Sequence, residues 1–199
     1  KKSMEKIKPT LDPDLTFHVG WDMSRIIEIT ASRSSGNILM GGILAILLIF
    51  VFLRNFRPTV AIGIAIPLSV ITTFIAMNLA GYTLNLITLG GLALGVGMLV
   101  DNAVVVIENI FRQLEEGKSP YEAAKTGTSE VGMAIIASTL TTIAVFFPMM
   151  FAEGLAGDFS RPLALTIAFA LLSSLFIALT IIPMLASWFF KVKVANHRG

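Results

Sequence analysis

Residues 86–113 read LITLGGLALGVGMLVDNAVVVIENIFRQ. From Leu86 to Val100 there is no charged side chain, then Asp101 appears, then Glu108 and Arg112 close the run. At 1.5 Å per residue a helix over this stretch is about 42 Å long, more than the roughly 30 Å of hydrocarbon in a bilayer. Glycines recur at 90, 91, 95 and 97 without a neighbouring proline or Asn-Gly turn. That pattern suits a packed membrane helix better than a strand or a loop. The Gly-Val-Gly triplet is no phosphate cradle, because no strand precedes it and no phosphate reaches that depth.

Four more apolar stretches of spanning length surround this one, at about 36–54, 59–80, 130–152 and 160–190, with the central one at 85–113. The expected architecture is an all-α membrane bundle of about five transmembrane helices over 36–190. The fourth is entered by a helical lead-in from Ser119. A soluble bundle with five such helices in succession would have almost no polar surface left. Composition agrees: of 199 residues, 55% are hydrophobic and 14% charged. Soluble domains carry about 25% charged residues. Pro67, Pro148 and Pro183 are expected to kink or loosen the second, fourth and fifth helices.

Residues 1–35 are mixed and polar. They suggest the end of a helix at Lys1–Lys8, a turn at Pro9–Asp14, a short strand at Leu15–Gly20 and a helix capped by Asp22 towards Arg33. A piece this small cannot bury a core of its own. It is expected to finish an α+β domain of which the rest is missing. The chain opens on Lys1 rather than Met and is expected to be part of a longer protein. The net charge of +2 is too small to suggest a nucleic-acid partner, and there is no cysteine for disulfides or thiolate metal sites. With two histidines and no paired acid and base outside lipid, enzymatic chemistry is not expected, nor is a metal or cofactor site.

Charge placement gives an orientation. Arg54 and Arg57 lie between the first two stretches, Arg112, Lys118 and Lys125 between the third and fourth, and Lys191, Lys193 and Arg198 after the fifth. Of Lys and Arg, the intervening links AGYTLN and MFAEGLAGDFSRP contain only Arg161. The positive-inside rule puts the three basic groups in the cytoplasm. The N-terminal piece is then extracytoplasmic and the tail 191–199 cytoplasmic.

Asp101 is the candidate functional residue. A carboxylate at the centre of a membrane helix costs on the order of 2.5–3.5 kcal/mol on insertion scales, so it marks a proton or ion site facing protein or water. No Lys or Arg lies in the interior of the five apolar stretches; Arg54, Arg112 and Arg161 stand only at their ends. Either desolvation keeps Asp101 protonated much of the time, or a cation comes from helices outside this chain. Either state is switchable by a proton, the expected coupling ion. Asn102 lies about 100° further round the helix and cannot titrate. A place in the relay and a hydrogen bond to another helix both remain open for it. Asn109 repeats that offset with the same two readings. Glu108 shares the face of Asp101, where it either lines an exit path or snorkels to water. Gly90 and Gly97 precede Asp101 on its face, and Gly91 and Gly95 form a small-xxx-small pair for close helix contact. Ser138, Thr139, Thr141 and Thr142 form a further polar stripe, bonded to their own backbone or to a neighbour.

FLRNFRPTVAIGIAIPLSV, GLALGVGMLVDNAVVVIENIFR, EEGKSPYEAA and TTIAVFFPMMFAEGLAGDFSRPLALTIAFALLSSLFIALTIIPMLAS follow one another along the chain. In this order they resemble the resistance–nodulation–division (RND) transporters, in their hydrophobe/amphiphile efflux branch. The resemblance covers nearly the whole chain, and LVDNAVVVIEN is its most specific part. It implies transmembrane helices two to six of a twelve-helix pump of the bacterial inner membrane. Residues 1–35 would be the end of the porter domain. It also implies a proton/drug antiporter for small amphiphilic substrates. Such pumps are usually homotrimers, in some hosts joined to a periplasmic adaptor and an outer-membrane channel. Many relatives carry two adjacent aspartates in the fourth helix; here Asp101 matches the first and Asn102 replaces the second. The family's basic partner lies in the second half of the polypeptide. Metal-ion exporters and translocation or sterol-sensing domains of the same superfamily are the alternative.

Overall fold

The computed structural model describes residues 55–189, together with 29, 32, 33, 36, 40–44, 46, 47, 50 and 51. The readings of 1–28 and of the tail 191–199, including the strand at Leu15–Gly20, lie outside the described residues. So does most of the first apolar stretch. Among the described residues there is no strand. The order is α1 (Phe56–Leu79), α2 (Leu86–Glu115), α3 (Pro120–Phe146), a 3₁₀ turn (Phe147–Phe151) and α4 (Gly154–Phe189). All four helices are long and apolar enough to cross a membrane, α3 counted with its 3₁₀ extension.

The links are short, and their residues explain where helices stop. After α1, Gly81 takes φ 78°, and after α2, Gly117 takes φ 92°. Each places the next amide on a carbonyl five residues back: Tyr82 N–H on Met77 O at 2.9 Å, Lys118 N–H on Gln113 O at 3.3 Å. A side chain at φ above zero is strained, so glycine ends both helices. The restarts are capped as well. The Asn85 side chain accepts from the amides of Ile87 and Thr88, each at 2.9 Å, and Thr88 Oγ1 accepts from Asn85 N–H. Ser119 and Glu122 form the equivalent box before α3, with Pro120 opening that helix. Short capped turns make successive helices antiparallel neighbours.

Packing is tightest around α2 and α4. Gly91 and Gly95 face α4: a Cβ on Gly95 would lie 2.7 Å from the Ala170 methyl, and one on Gly91 would lie 3.0 Å from Leu163 O. α3 crosses α2 as closely at its other end, where a Cβ on Gly127 would lie 2.9 Å from the Ile110 backbone. The main core joins Ile62 and Ile66 of α1, Val106, Ile107 and Ile110 of α2, Ile135 of α3, and Ile177 and Ile182 of α4. At the other end of the bundle, Leu92 and Val96 meet Ala170. There the Tyr82 ring packs edge-on against Phe169, centroids 6.3 Å apart, tying the α1–α2 turn to α4.

The prolines act unequally. Pro67 and Pro183 lie within uninterrupted α1 and α4. Pro148 coincides with the change from α-helix to 3₁₀ geometry. α4 starts at Gly154, ahead of residue 160, although Pro162 lacks an N–H to give the first turns. The Arg161 guanidinium donates to Ala152 O at 2.9 Å and Ser160 Oγ to Met149 O at 3.0 Å, holding that start against the preceding turn.

Gly95→Ala and Gly127→Ala are expected to destabilise the full-length protein by about 1–3 kcal/mol each, because backbone or a packed methyl must move. Gly132→Ala, whose Cβ would meet Leu179 at an ordinary 3.9 Å, is expected to be neutral or slightly stabilising. Thermal unfolding in detergent measures the difference.

Candidate functional site

α2 has two unlike faces. Gly91, Leu92, Gly95, Val96, Ala103, Val106, Ile107 and Ile110 are buried against its neighbours. Gly90, Leu94, Gly97, Asp101, Val105 and Glu108 are exposed. Their spacing of three and four residues makes one stripe along the helix. Asp101 sits in its middle. Among the described residues no side chain is hydrogen-bonded or ion-paired to it. A Cβ on Gly90 or Gly97 would meet nothing within 4 Å among the described residues. Of the four glycines, then, 91 and 95 touch α4, while 90 and 97 flank Asp101 on the open side.

Asn102 points the other way. Its Nδ2 donates to Thr139 Oγ1 at 3.2 Å, and the Thr139 hydroxyl lies 3.4 Å from Asn102 Oδ1. Thr139 is 3% exposed. Two other hydroxyls of this stripe stay local: Thr141 donates to Ala137 O and Thr142 to Ser138 O. Thr139 alone of this stripe is seen to reach α2 among the described residues. The turn of about 100° between residues 101 and 102 therefore separates an acid on the open face from an amide in the α2–α3 seam.

One heptad along α2 the seam becomes strongly polar. Asn109 Nδ2 donates to Gly127 O at 2.7 Å and to Glu130 Oε2 at 3.0 Å. Arg112 Nη2 donates to the same Oε2 at 2.9 Å and to Asn109 Oδ1 at 2.8 Å. Gln113 Nε2 donates to Glu130 at 3.1 and 3.0 Å, and Lys118 Nζ donates to Gln113 Oε1. Asn109 and Gln113 are 9% and 2% exposed. Arg112 and Glu130 are 57% and 42% exposed, so their ion pair is screened and adds little. The buried amides matter more, since a donor shut away from water must find an acceptor. Glu108 is not in this network. It makes no bond there, but it lines an open cleft of about 670 Å³ that Asn109 and Arg112 of the network also border, with Val104, Val105, Phe111, Glu115 and Val131.

Against known protein families, residues 1–199 match the AcrB/AcrD/AcrF family. The chain belongs to that family. Multidrug resistance protein MdtC of Escherichia coli and its counterpart in Shigella flexneri are each 36% identical over 191 residues, 96% of this chain. The chain spans about a fifth of the length of these relatives (19%). Family membership and four apolar helices make this part of a multi-pass protein of the bacterial inner membrane. Glu130 was not singled out from the AcrB/AcrD/AcrF-type sequence. The available signal was the trio Asn109, Arg112 and Gln113 on one helical face, opposite the last acid before an uncharged run.

A double-mutant cycle of Asn102→Ala and Thr139→Ala is expected to give a coupling energy of about 0.6 kcal/mol, at most about 1.7, as for other interhelical bonds in membranes. Thr142→Ala is expected to show no coupling to Asn102. Both are read from unfolding of the full-length protein in detergent.

Proposed function

We propose that this chain is transmembrane helices two to six of a proton-motive-force-driven antiporter that exports hydrophobic or amphiphilic compounds, with Asp101 as the group that takes up and releases the proton. The observation that carries the reading is the position of Asp101: mid-way along a spanning helix, on the face that the described helices leave open. A carboxylate there cannot rest against lipid tails without large cost. The second-half helices of the full polypeptide cover that stripe and bring a basic partner to Asp101. Gly90 and Gly97 leave room for the approach. The names of the relatives, multidrug resistance proteins, favour drugs over metal ions as cargo.

A proton moves the charge on Asp101 between two values. Unprotonated, the carboxylate draws the basic partner; protonated, it releases it. The helix pair then has two arrangements, and alternation between them drives the transport cycle. Asn102 holds a place in this relay without titrating. Glu108, two turns further on, lines the path to the side bearing Arg112 and Lys118, which is the cytoplasm by the positive-inside rule. The N-terminal segment is then extracytoplasmic and the C-terminal tail cytoplasmic. The working assembly is a homotrimer, with a periplasmic adaptor and an outer-membrane channel in a host with two membranes.

In the full-length protein, Asp101→Asn is expected to lower proton-dependent efflux by about a hundredfold or more at matched membrane abundance. Glu108→Gln is expected to retain at least about half of it, since that residue reaches water. Fluorescent-substrate efflux with an imposed pH gradient measures both. Full efflux in Asp101→Asn would remove Asp101 from the mechanism.

A further inference from the structure

We propose that Glu130 is a positioning residue for the Asp101 helix: its carboxylate, with the Gly127 carbonyl one turn before it, holds α2 at one height and rotation against α3. The proposal rests on Asp101 being the proton carrier. Three side chains of α2 converge on this one carboxylate, Asn109, Arg112 and Gln113, at 2.9–3.1 Å. They come from positions i, i+3 and i+4, so they form one face of α2, and a single acceptor can fix that face. Gly127 lets the helices meet at backbone contact just there. Asn109 therefore reaches both the backbone carbonyl and the carboxylate of α3. A slip of α2 by one residue, about 1.5 Å of rise and about 100° of turn, breaks every one of these bonds. The same slip swings Asp101 off the open stripe. The Asn102–Thr139 bond, one heptad away on the seam, is too weak to prevent this alone.

Two charges face Glu130 from the α2 side, Arg112 and Lys118. On its own helix α3 carries Glu122 and Lys125. α4, packed behind, carries charge only at Asp158 and Arg161, at its opposite end, and α1 only at Arg57. Arg112 is also bridged to Glu116 at 3.4 Å, on the exposed side. Without Glu130, the buried amides of Asn109 and Gln113 lose their carboxylate acceptor and α2 is free to settle in other registers.

The test uses the full-length transporter in proteoliposomes with two readouts. The first is the rate at which a short bis-thiosulfonate joins cysteines at Asn102→Cys and Thr139→Cys; residues 1–199 have no cysteine, and any cysteine elsewhere in the full-length transporter is first replaced by serine. The second is the pH midpoint of substrate-driven proton counterflow, measured without those cysteines. Glu130→Ala is expected to slow cross-linking by about fivefold or more. It is also expected to move the pH midpoint by about half a unit or more, because Asp101 meets its partner from a changed position. Glu122→Ala removes a cap from the same helix without touching α2, and is expected to change neither. If Glu130→Ala is not recovered, Glu130→Gln is read in its place with the same criteria, since its amide cannot accept from three donors. Wild-type cross-linking overturns the proposal whatever Asp101 does. Slowed cross-linking with an unchanged midpoint overturns the link to Asp101. If Asp101→Asn keeps its counterflow, the proton-carrier reading falls, and cross-linking still reports separately on whether Glu130 holds the seam.

Discussion

The close approach of α2 to its neighbours is the constraint on which the rest of this bundle depends. In hydrocarbon there is no hydrophobic drive to bring helices together, because lipid tails are as apolar as leucine. Contact must come from packing and from polar groups that meet each other. Gly91 and Gly95 supply the first against Thr166 and Ala170 of α4, and Gly127 supplies it against Ile110 of α2. These contacts, with Ile62 and Ile66 of α1 in the shared core, hold the buried side of α2 and leave the Asp101 stripe open. The residues that carry charge or could carry a proton are then sorted by which side they fall on.

That sorting assigns different work to neighbouring residues. Asp101 and Asn102 are adjacent in sequence, yet one is on the open stripe and the other is bonded to Thr139 in a seam. The same division recurs a heptad later: Glu108 is exposed, and Asn109 is buried and enters the seam with Glu130 and Gly127. A heptad repeat on a helix of 3.6 residues per turn returns to nearly the same direction, which is why the two pairs behave alike. The seam is antiparallel, so Asn102 meets Thr139 while Asn109 meets the earlier residues Gly127 and Glu130. It becomes more polar towards the α2–α3 turn, where Arg112, Lys118 and Glu130 can keep part of their surface in water.

Much of this was legible in the chain itself. The helices of the second to fifth stretches follow from apolar runs of spanning length, and two of their starts from Asn85 and Ser119, whose side-chain chemistry is local. The resemblance read from LVDNAVVVIEN and its flanks agrees with the family match over residues 1–199. The small-xxx-small pair was legible too, since spacing four repeats a face. Spacing could not separate Gly91 and Gly95, which meet a helix, from Gly90 and Gly97, which meet nothing among the described residues. Nor could it say which of four hydroxyls on α3 would leave its own backbone, because a Thr can bond the carbonyl four residues back with equal ease.

The amino-acid sequence alone determined that the chain carries apolar stretches long enough to cross a membrane repeatedly, roughly where their helices lie, and that one acid stands within the third of them. These depend on hydropathy, caps and turns, which act over a few residues. The tertiary structure alone decided which face of α2 stays open, that Asn102 turns to Thr139, and that Glu130 gathers Asn109, Arg112 and Gln113. Those depend on the rotation and height of one helix against another. These are set by the sum of contacts across the seam, so no single stretch of sequence holds them.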